Sequence, residues 1–380
     1  MRNLKLALKG LVALPIVGLI ACGIGGSDSG QLSLSLTDAA TDLYDAVYIT
    51  VKQIDVHRAD EGEEMWQTIA TPGRTYNLLE LVNGVREQLA LVDLTAGHYS
   101  QLRLYLGDMP DDRANILSRP HPFPNYVIDS EQAYHELKIP SGYQSGVKIV
   151  HAFTIGESGT TELILDFSAS ESVVIAGRSG QYLLKPTIKV LTESEASIVS
   201  GTVTQAADEA VVEGAIVSAQ VYDAGAADIK DQVAVKASTV SDETGGFKMF
   251  IAPGAYNIVA AKMDYATAAA ALTTEAGMTY TQDFALAAAE KGAVGGEVTI
   301  AGATDETFVT ISFRQEVTLP DGTTKVMIEV LSVNVANGGE YEIELPVGDY
   351  SVVAWTYGQT TQSTVVSVIS GTPADLDFMF

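Results

Sequence analysis

Apolar and polar residues alternate along most of this chain with the two-residue period of strands that bury one face. Leu32, Leu34 and Leu36 alternate cleanly, as do Val47, Ile49 and Val51, after which the apolar phase moves to Ile54 and Val56. One extra residue in a strand turns every later side chain to the other face, so this change of phase predicts a bulge near Lys52 and Gln53. Further strands are predicted at 98–106, 147–155, 161–167 and 181–191. Only NLLELVNGVREQLAL at 77–91 has a spacing that suits a helix.

The second half of the chain repeats itself. TVSDETGGFKMFIAPGAYNIVA at 239–260 parallels NVANGGEYEIELPVGDYSVVA at 334–354. With Tyr256 on Tyr350, Gly201 falls on Gly295 and Phe284 on Phe378, a constant offset of 94 residues. A period this long marks two tandem domains rather than a solenoid. Phe247, Met249 and Ile251 in the first copy, and Tyr341, Ile343 and Leu345 in the second, alternate as strands should. A Pro-Gly or Pro-x-Gly turn then reverses the chain, and Gly254 and Gly348 are expected to resist substitution if their turns need positive φ. TAGHYSQLRLYL at 95–106 shares the same Gly-x-Tyr entry into a strand. This pattern, a D/N-x-x-G-x-F/Y strand followed by P-x-G-x-Y, resembles the carboxypeptidase regulatory-like, transthyretin-like β-sandwich. Such domains accompany a peptidase elsewhere and are not themselves catalytic.

A second resemblance covers about 31–191. The blocks LSLSLTDAATD, VYITVKQIDVHR, LVDLTAGHYSQLRL, LKIPSGYQSGVKI and LILDFSASESVV with YLLKPTIKVL are similar, in order and spacing, to the bacterial domain of unknown function 4382. Ala40 stands where that family usually has proline. Its members are typically secreted or lipid-anchored and share no agreed activity, so the resemblance implies location and fold and leaves function open. The fold class expected is all-β: a sandwich-like domain at 31–194, then two tandem prealbumin/Ig-like sandwiches at 195–289 and 290–380, in a row.

The first 30 residues have another character. Arg2, Lys5 and Lys9 precede LVALPIVGLIAC at 11–22, an apolar run shorter than the roughly 20 residues a membrane-spanning helix needs. Leu19-Ile20-Ala21-Cys22 resembles the bacterial lipobox. That resemblance implies a signal peptide at 1–21, a diacylglycerol on Cys22 and a flexible tether at 22–30. Cys22 is the only cysteine, so disulfides are excluded and stability must come from buried apolar surface. Gly23 lacks the aspartate that retains lipoproteins in the inner membrane under the enterobacterial rule, which points to the outer membrane.

Charge narrows the partners. The chain has 22 Lys and Arg against 48 Asp and Glu, a net −26 that repels phosphate backbones and excludes nucleic acid as a partner. The acidity is uneven: residues 193–380 hold seven basic residues against 26 acidic ones. All five histidines, His57, His98, His121, His135 and His151, lie in the first half, as does every arginine beyond Arg2 except Arg314.

No catalytic set emerges. There is no G-x-S-x-G elbow, and no two histidines stand one helical turn apart as a zinc hydrolase would place them. His151, among Val147, Ile149, Phe153 and Ile155, fits a strand histidine. Calcium has a candidate in Asp108, Asp111, Asp112 and Asn115, hard oxygen ligands on one loop, although Arg113 sits among them and EF-hand spacing is lacking. No other cofactor is implied. GDMPDDRANILSRPHPFPNY at 107–126 is the candidate binding loop, with Arg113, Arg119 and His121 as donors for carboxylate or sugar groups. Its three prolines between 120 and 124 leave a disordered insertion as the alternative. Trp66, and Trp355 with Tyr357 on a shared strand face, could stack on sugars or pack a core. The expectation is a non-enzymatic, lipid-anchored envelope protein acting as a binding or assembly module, its partner an envelope protein or glycan recognised mainly by 31–194. The alternatives are a metal-dependent enzyme or metal-binding protein using the histidine-bearing domain, or a structural spacer.

Overall fold

The computed structural model describes residues 29–39, 41, 43–59, 66–140, 145–176, 181–302 and 307–380. The basic start, the apolar run, Cys22 and Ala40 lie outside the described residues. Nearly all the regular structure among the described residues is strand, in three units.

The first unit holds β1 (Ser29–Ala39), β2 (Ala46–Arg58), β3 (Trp66–Ala70), β4 (Arg74–Asn77), β5 (Glu87–Thr95), β6 (Gly97–Leu106) and β7 (Tyr126–Ile128). It continues through β8 (Tyr134–Lys138), β9 (Val147–Ile155), β10 (Thr160–Ser168), one helical turn α1 (Ala169–Ser172), β11 (Val173–Ala176), β12 (Gln181–Leu184) and β13 (Ile188–Thr192). One sheet runs β13-β10-β1-β5; the other runs β11-β12-β8-β7-β2-β6-β9, with β3 and β4 also paired to β2. Leu32, Leu34, Leu36, Leu163, Leu165 and Phe167 from the first sheet meet Val47, Ile49, Ile54, Val56, Leu102 and Leu104 from the second, all fully buried. Each such side chain contributes roughly 1.5–3 kcal/mol of burial, so this layer is what makes a cysteine-free domain stable. The β2–β6 ladder slips between Val51 and Gln53, where the change of apolar phase predicts a bulge.

Three expectations need correction here. β1 starts at Ser29, so the last two residues assigned to the tether already belong to a sheet. The helix expected over 77–91 does not form: Leu78–Glu80 is one 3₁₀ turn, and Asn83 and Gly84 then take φ of 58° and 76°. Two left-handed residues end a right-handed helix, and the following residues complete the sheet as β5 against β1. The strand expected at 181–191 is interrupted at Lys185-Pro186-Thr187, where proline has no N–H to give a ladder.

The second unit comprises β14 (Ser197–Gln205), β15 (Ile216–Tyr222), β16 (Val233–Val240), β17 (Gly246–Ile251), β18 (Gly254–Ala261), β19 (Ala268–Thr274), β20 (Thr279–Thr281) and β21 (Phe284–Leu286). The third comprises β22 (Lys291–Thr299), β23 (Phe308–Thr318), β24 (Lys325–Ala336), β25 (Gly339–Pro346), β26 (Gly348–Trp355), β27 (Gln362–Val368), β28 (Ala374–Asp375) and β29 (Phe378–Met379). The two share one topology: β16-β15-β18-β19 over a sheet centred on β14, and β24-β23-β26-β27 over one centred on β22. Gly201, however, matches Gly296 in space rather than Gly295. Gly201 pairs with Phe247 and would set a Cβ 1.9 Å from the Gln282 carbonyl oxygen; Gly296 pairs with Tyr341 and would set one 2.1 Å from that of Leu376. The third unit has one residue fewer between these points, which a constant offset cannot register.

Each unit enters a strand through Gly-x-Tyr. The tyrosine hydroxyl donates to the carbonyl four residues back: Tyr99 to Thr95 at 3.0 Å, Tyr256 to Ala252 at 2.8 Å and Tyr350 to Pro346 at 2.8 Å. Gly97 and Gly348 have φ of 146° and 150°, but Gly254 is outside the positive-φ region, so the condition for resisting substitution is met at Gly348 and not at Gly254.

The units do not stand in a row. Strands β11 and β24 pair at Ile175 and Val335, carrying one sheet from the first unit into the third. Ile164 of the first unit packs with Ala196 and with Phe250 of the second, and Val259 and Ala269 of the second pack with Leu319, Val326 and Ile328 of the third. Arg314, the largest fully buried side chain among the described residues, crosses the latter interface: its Nη1 and Nη2 donate to the carbonyls of Ile229 and Lys230 at 2.6 and 2.8 Å, and its Nε to Ser312 Oγ at 2.9 Å. The acidic half is therefore part of one block rather than an extension from it.

Candidate functional site

The stretch between β6 and β7 is folded onto the sheet at several anchor points. Asn125 ties down both of its ends: Oδ1 accepts from the Thr50 amide at 3.0 Å, and Nδ2 donates to the Gly107 carbonyl at 3.1 Å. Thr50 Oγ1 donates to the Pro124 carbonyl at 2.6 Å, and the Ile116 amide donates to the Tyr48 hydroxyl at 2.8 Å. Asn115 Oδ1 accepts from the amides of Leu117 and Arg119, closing a tight turn at the tip. Ala46, Tyr48, Tyr126 and Ile128 form a small core beneath, with Leu117 and Phe123 packed against it and the rings of Tyr48 and Tyr126 stacked 4.7 Å apart. The prolines lie between anchors, so they restrict the loop without freeing it.

The candidate residues are placed as follows. His121 is buried, its Nδ1 2.7 Å from the Tyr126 hydroxyl and its Nε2 3.7 Å from Asp111. Burial lowers its pKa against the opposing pull of Asp111, leaving it neutral at pH 7. Asp111 accepts from the amides of Thr75 and Arg113, both at 3.0 Å. Asp108 is exposed beside Lys52 at 3.6 Å, Asp112 is exposed, and Asn115 is committed to its turn. The oxygens considered for calcium are thus engaged with amides or turned to solvent. Among the described residues, no three His, Cys, Asp or Glu are grouped to hold a metal ion. Arg113 and Arg119 are exposed at the rim.

Between this loop and β4 lies a cavity of about 220 Å³, lined among others by Tyr48, Arg74, Asn77, Glu80, Arg113 and His121. The Arg74 guanidinium is paired with Glu87 and lies 4.8 Å over the Tyr76 ring. Asn77 Nδ2 donates to Glu80 at 3.2 Å. Burial pushes the Tyr48 hydroxyl up to about 12, so it remains a donor. Guanidinium and carboxylate groups both line it, which suits a polar group that both donates and accepts hydrogen bonds. Tyr48, Arg74, Glu87 and Asn125 went unmarked in the sequence, because only the fold brings them together: Tyr48 lies on β2, Arg74 on β4 paired to it, Asn125 bonds the Thr50 amide, and Glu87 comes from β5, which pairs with β1.

The remaining candidates stay apart. His57 meets Ser100, His98 meets Thr154, and His135 meets Asp129 at 2.6 Å. His151 lines a cleft of about 690 Å³ with Glu162, Glu193 and Glu195. The Arg103 guanidinium covers the Trp66 ring at 4.1 Å. Trp355 lies 5.9 Å over buried Arg314 while Tyr357 is fully exposed, so the two form no shared platform.

Residues 29–186 match domain of unknown function 4382, and residues 198–287 match the carboxypeptidase regulatory-like domain. The chain carries the two in that order. The loop and cavity belong to the 4382 domain, and the third unit repeats the carboxypeptidase regulatory-like topology beyond the matched span. No curated protein matches the chain. Among solved structures, the Bacillus anthracis TIE protein is 13% identical at a TM-score of 0.20; 93% of this chain is covered, and it spans only half of that one. A streptococcal ancillary pilin is 10% identical at 0.21, with 92% and 98% covered. The shaft pilin SpaA of Lactobacillus rhamnosus GG is 11% identical at 0.20, with 49% and 97% covered. TM-scores of this size do not equate two folds.

Proposed function

We propose that this protein is a non-enzymatic cell-envelope protein, anchored through a lipid on Cys22 to the outer membrane, that binds an envelope protein or glycan through the 107–125 loop of its 4382 domain. What supports the reading above all is that loop: an irregular 19-residue stretch held by a buried asparagine at its base, with Arg113 and Arg119 at its exposed rim. Recognition commonly sits on ordered loops over a rigid β scaffold, and here two further units brace the scaffold. The acidic surface disfavours nucleic acid and anionic lipid as partners.

The test uses the chain from Ser29 to Phe380, immobilised and exposed to solubilised envelope protein and glycan from the native host. The Arg113→Ala/Arg119→Ala variant alters only exposed side chains and should keep its thermal transition while losing most of the captured material. Equal capture by both proteins would remove the loop from the account. The anchor is tested separately by mass spectrometry of the mature N-terminus, which should begin at an acylated Cys22; an unmodified terminus elsewhere would contradict it.

A further inference from the structure

The longest stretch without a charged residue runs from Tyr350 to Ala374, 25 residues between Asp349 and Asp375 in a chain of net −26. It includes β27, QSTVVSV, the end strand of the sheet whose far end is β9. Among the described residues β27 pairs with β26 alone, in a ladder without a bulge. Val365, at its centre, is 74% exposed, and Ile369 and Met379 are exposed close by, the latter reached through its carbonyl by the Gln362 side chain.

Soluble proteins seldom leave such an edge open, because its free N–H and C=O groups template pairing with any other strand. The opposite edge is protected: the β6–β9 ladder slips between Tyr99 and Gln101, and Lys148 on β9 is exposed. The equivalent strand of the second unit, β19, is flanked by the third unit, with Ala269 under Leu319, Val326 and Ile328. Of these three end strands, β27 alone is uncharged along its length without such cover.

We propose that β27 pairs antiparallel with β27 of a second copy across a twofold axis centred on Val365. The strand complements itself in that register: Ser363 faces Ser367, Thr364 faces Val366, and Val365 faces its own counterpart. β-Branched pairs of this kind are favoured across a ladder. Two strongly negative chains repel one another over most of their surfaces, and β27 itself brings no charge; Asp349 of β26, the carboxylate beside it, accepts from Ser367 Oγ at 2.5 Å. The sheet that joins the first and third units then continues through both copies, and both 107–125 loops are displayed on one particle.

The chain from Ser29 to Phe380 holds all three cores and no cysteine, which permits a direct test. Directly opposed residues place their Cβ atoms about 4.5–5.5 Å apart, so Val365→Cys should oxidise in air to a disulfide-linked dimer. Val150→Cys, 76% exposed on β9, is the matched control and should stay monomeric. Sedimentation should find the wild type dimeric and Val365→Lys monomeric with its thermal transition retained. A monomeric wild type, a Val150→Cys variant that cross-links as readily, or a strand of a different protein captured by a monomeric chain would each overturn the proposal.

Discussion

The guanidinium of Arg314 in the third unit reaches the backbone carbonyl of Ile229 in the second at 2.6 Å, through a side chain only 1% exposed. A buried cation is tolerated only when its donors are matched, and those of Arg314 are spread over Ile229, Lys230 and Ser312. The sequence singled Arg314 out as the lone arginine of an acidic half but could not show that it is the bolt between the repeats.

Arg314→Ala should therefore cost about 3 kcal/mol or more, since two carbonyls lose charged donors in a buried interface. Calorimetry should show the wild-type second and third units melting together and the variant melting in two steps. Two steps in the wild type would mean that the repeats are independent.

The three Gly-x-Tyr entries make a graded comparison. Tyr350 is fully enclosed and Tyr256 is 9% exposed. Tyr350→Phe orphans the Pro346 carbonyl and should cost about 1–2 kcal/mol, with Tyr256→Phe at or below that. Denaturant midpoints decide the order, and a neutral Tyr350→Phe would deny the bond any role in stability.

Asp166 gives the protein an acid-side stability. Burial raises its carboxyl from 3.8 to about 6, with Lys189 pulling it down and Glu171 pushing it up. A carboxyl whose pKa is higher folded than unfolded stabilises most below the unfolded value, so stability should fall by about 3 kcal/mol in all as pH rises from about 3 to 7. Asp38, buried with Oδ2 unpartnered, shifts in the same direction. Asp166→Asn should flatten the melting temperature between pH 4 and 7; an equally steep profile in that variant would assign the dependence to other groups.

Gly296→Ala and Gly201→Ala should each cost about 2 kcal/mol, because backbone carbonyls occupy the place of the new methyl. Gly73→Ala meets open space at φ 55° and should cost about 1 kcal/mol, from backbone strain alone. Similar losses at all three positions would mean that the close approach at Gly201 and Gly296 is relaxed in solution.

The pattern of alternation was legible wherever a strand buries one face, down to the bulge beside Lys52. It misled at 77–91, because apolar spacing alone cannot weigh a helix against an edge strand that completes a sheet. The repeat was legible through its tyrosines, and Gly295 was mistaken for Gly296 because one deleted residue leaves no trace in a glycine pair. The loop was found by its chemistry, yet its partners Tyr48, Arg74 and Asn125 were not, since they meet through pairing to β2 across as many as 75 residues of sequence. The packing of the third unit onto the first left no sign at all: Asn334, which donates to the Glu171 carbonyl at 3.1 Å, reads as an ordinary strand residue.

Recognition through the 107–125 loop is tested most directly by photo-crosslinking in the native host. A photoreactive side chain replaces Arg119 on the loop in one strain and Glu243, exposed on the second unit, in another. The account predicts a discrete adduct with an envelope protein or glycan from position 119 and none from 243. An adduct from 243 with none from 119 would contradict it and move recognition to the carboxypeptidase regulatory-like repeats.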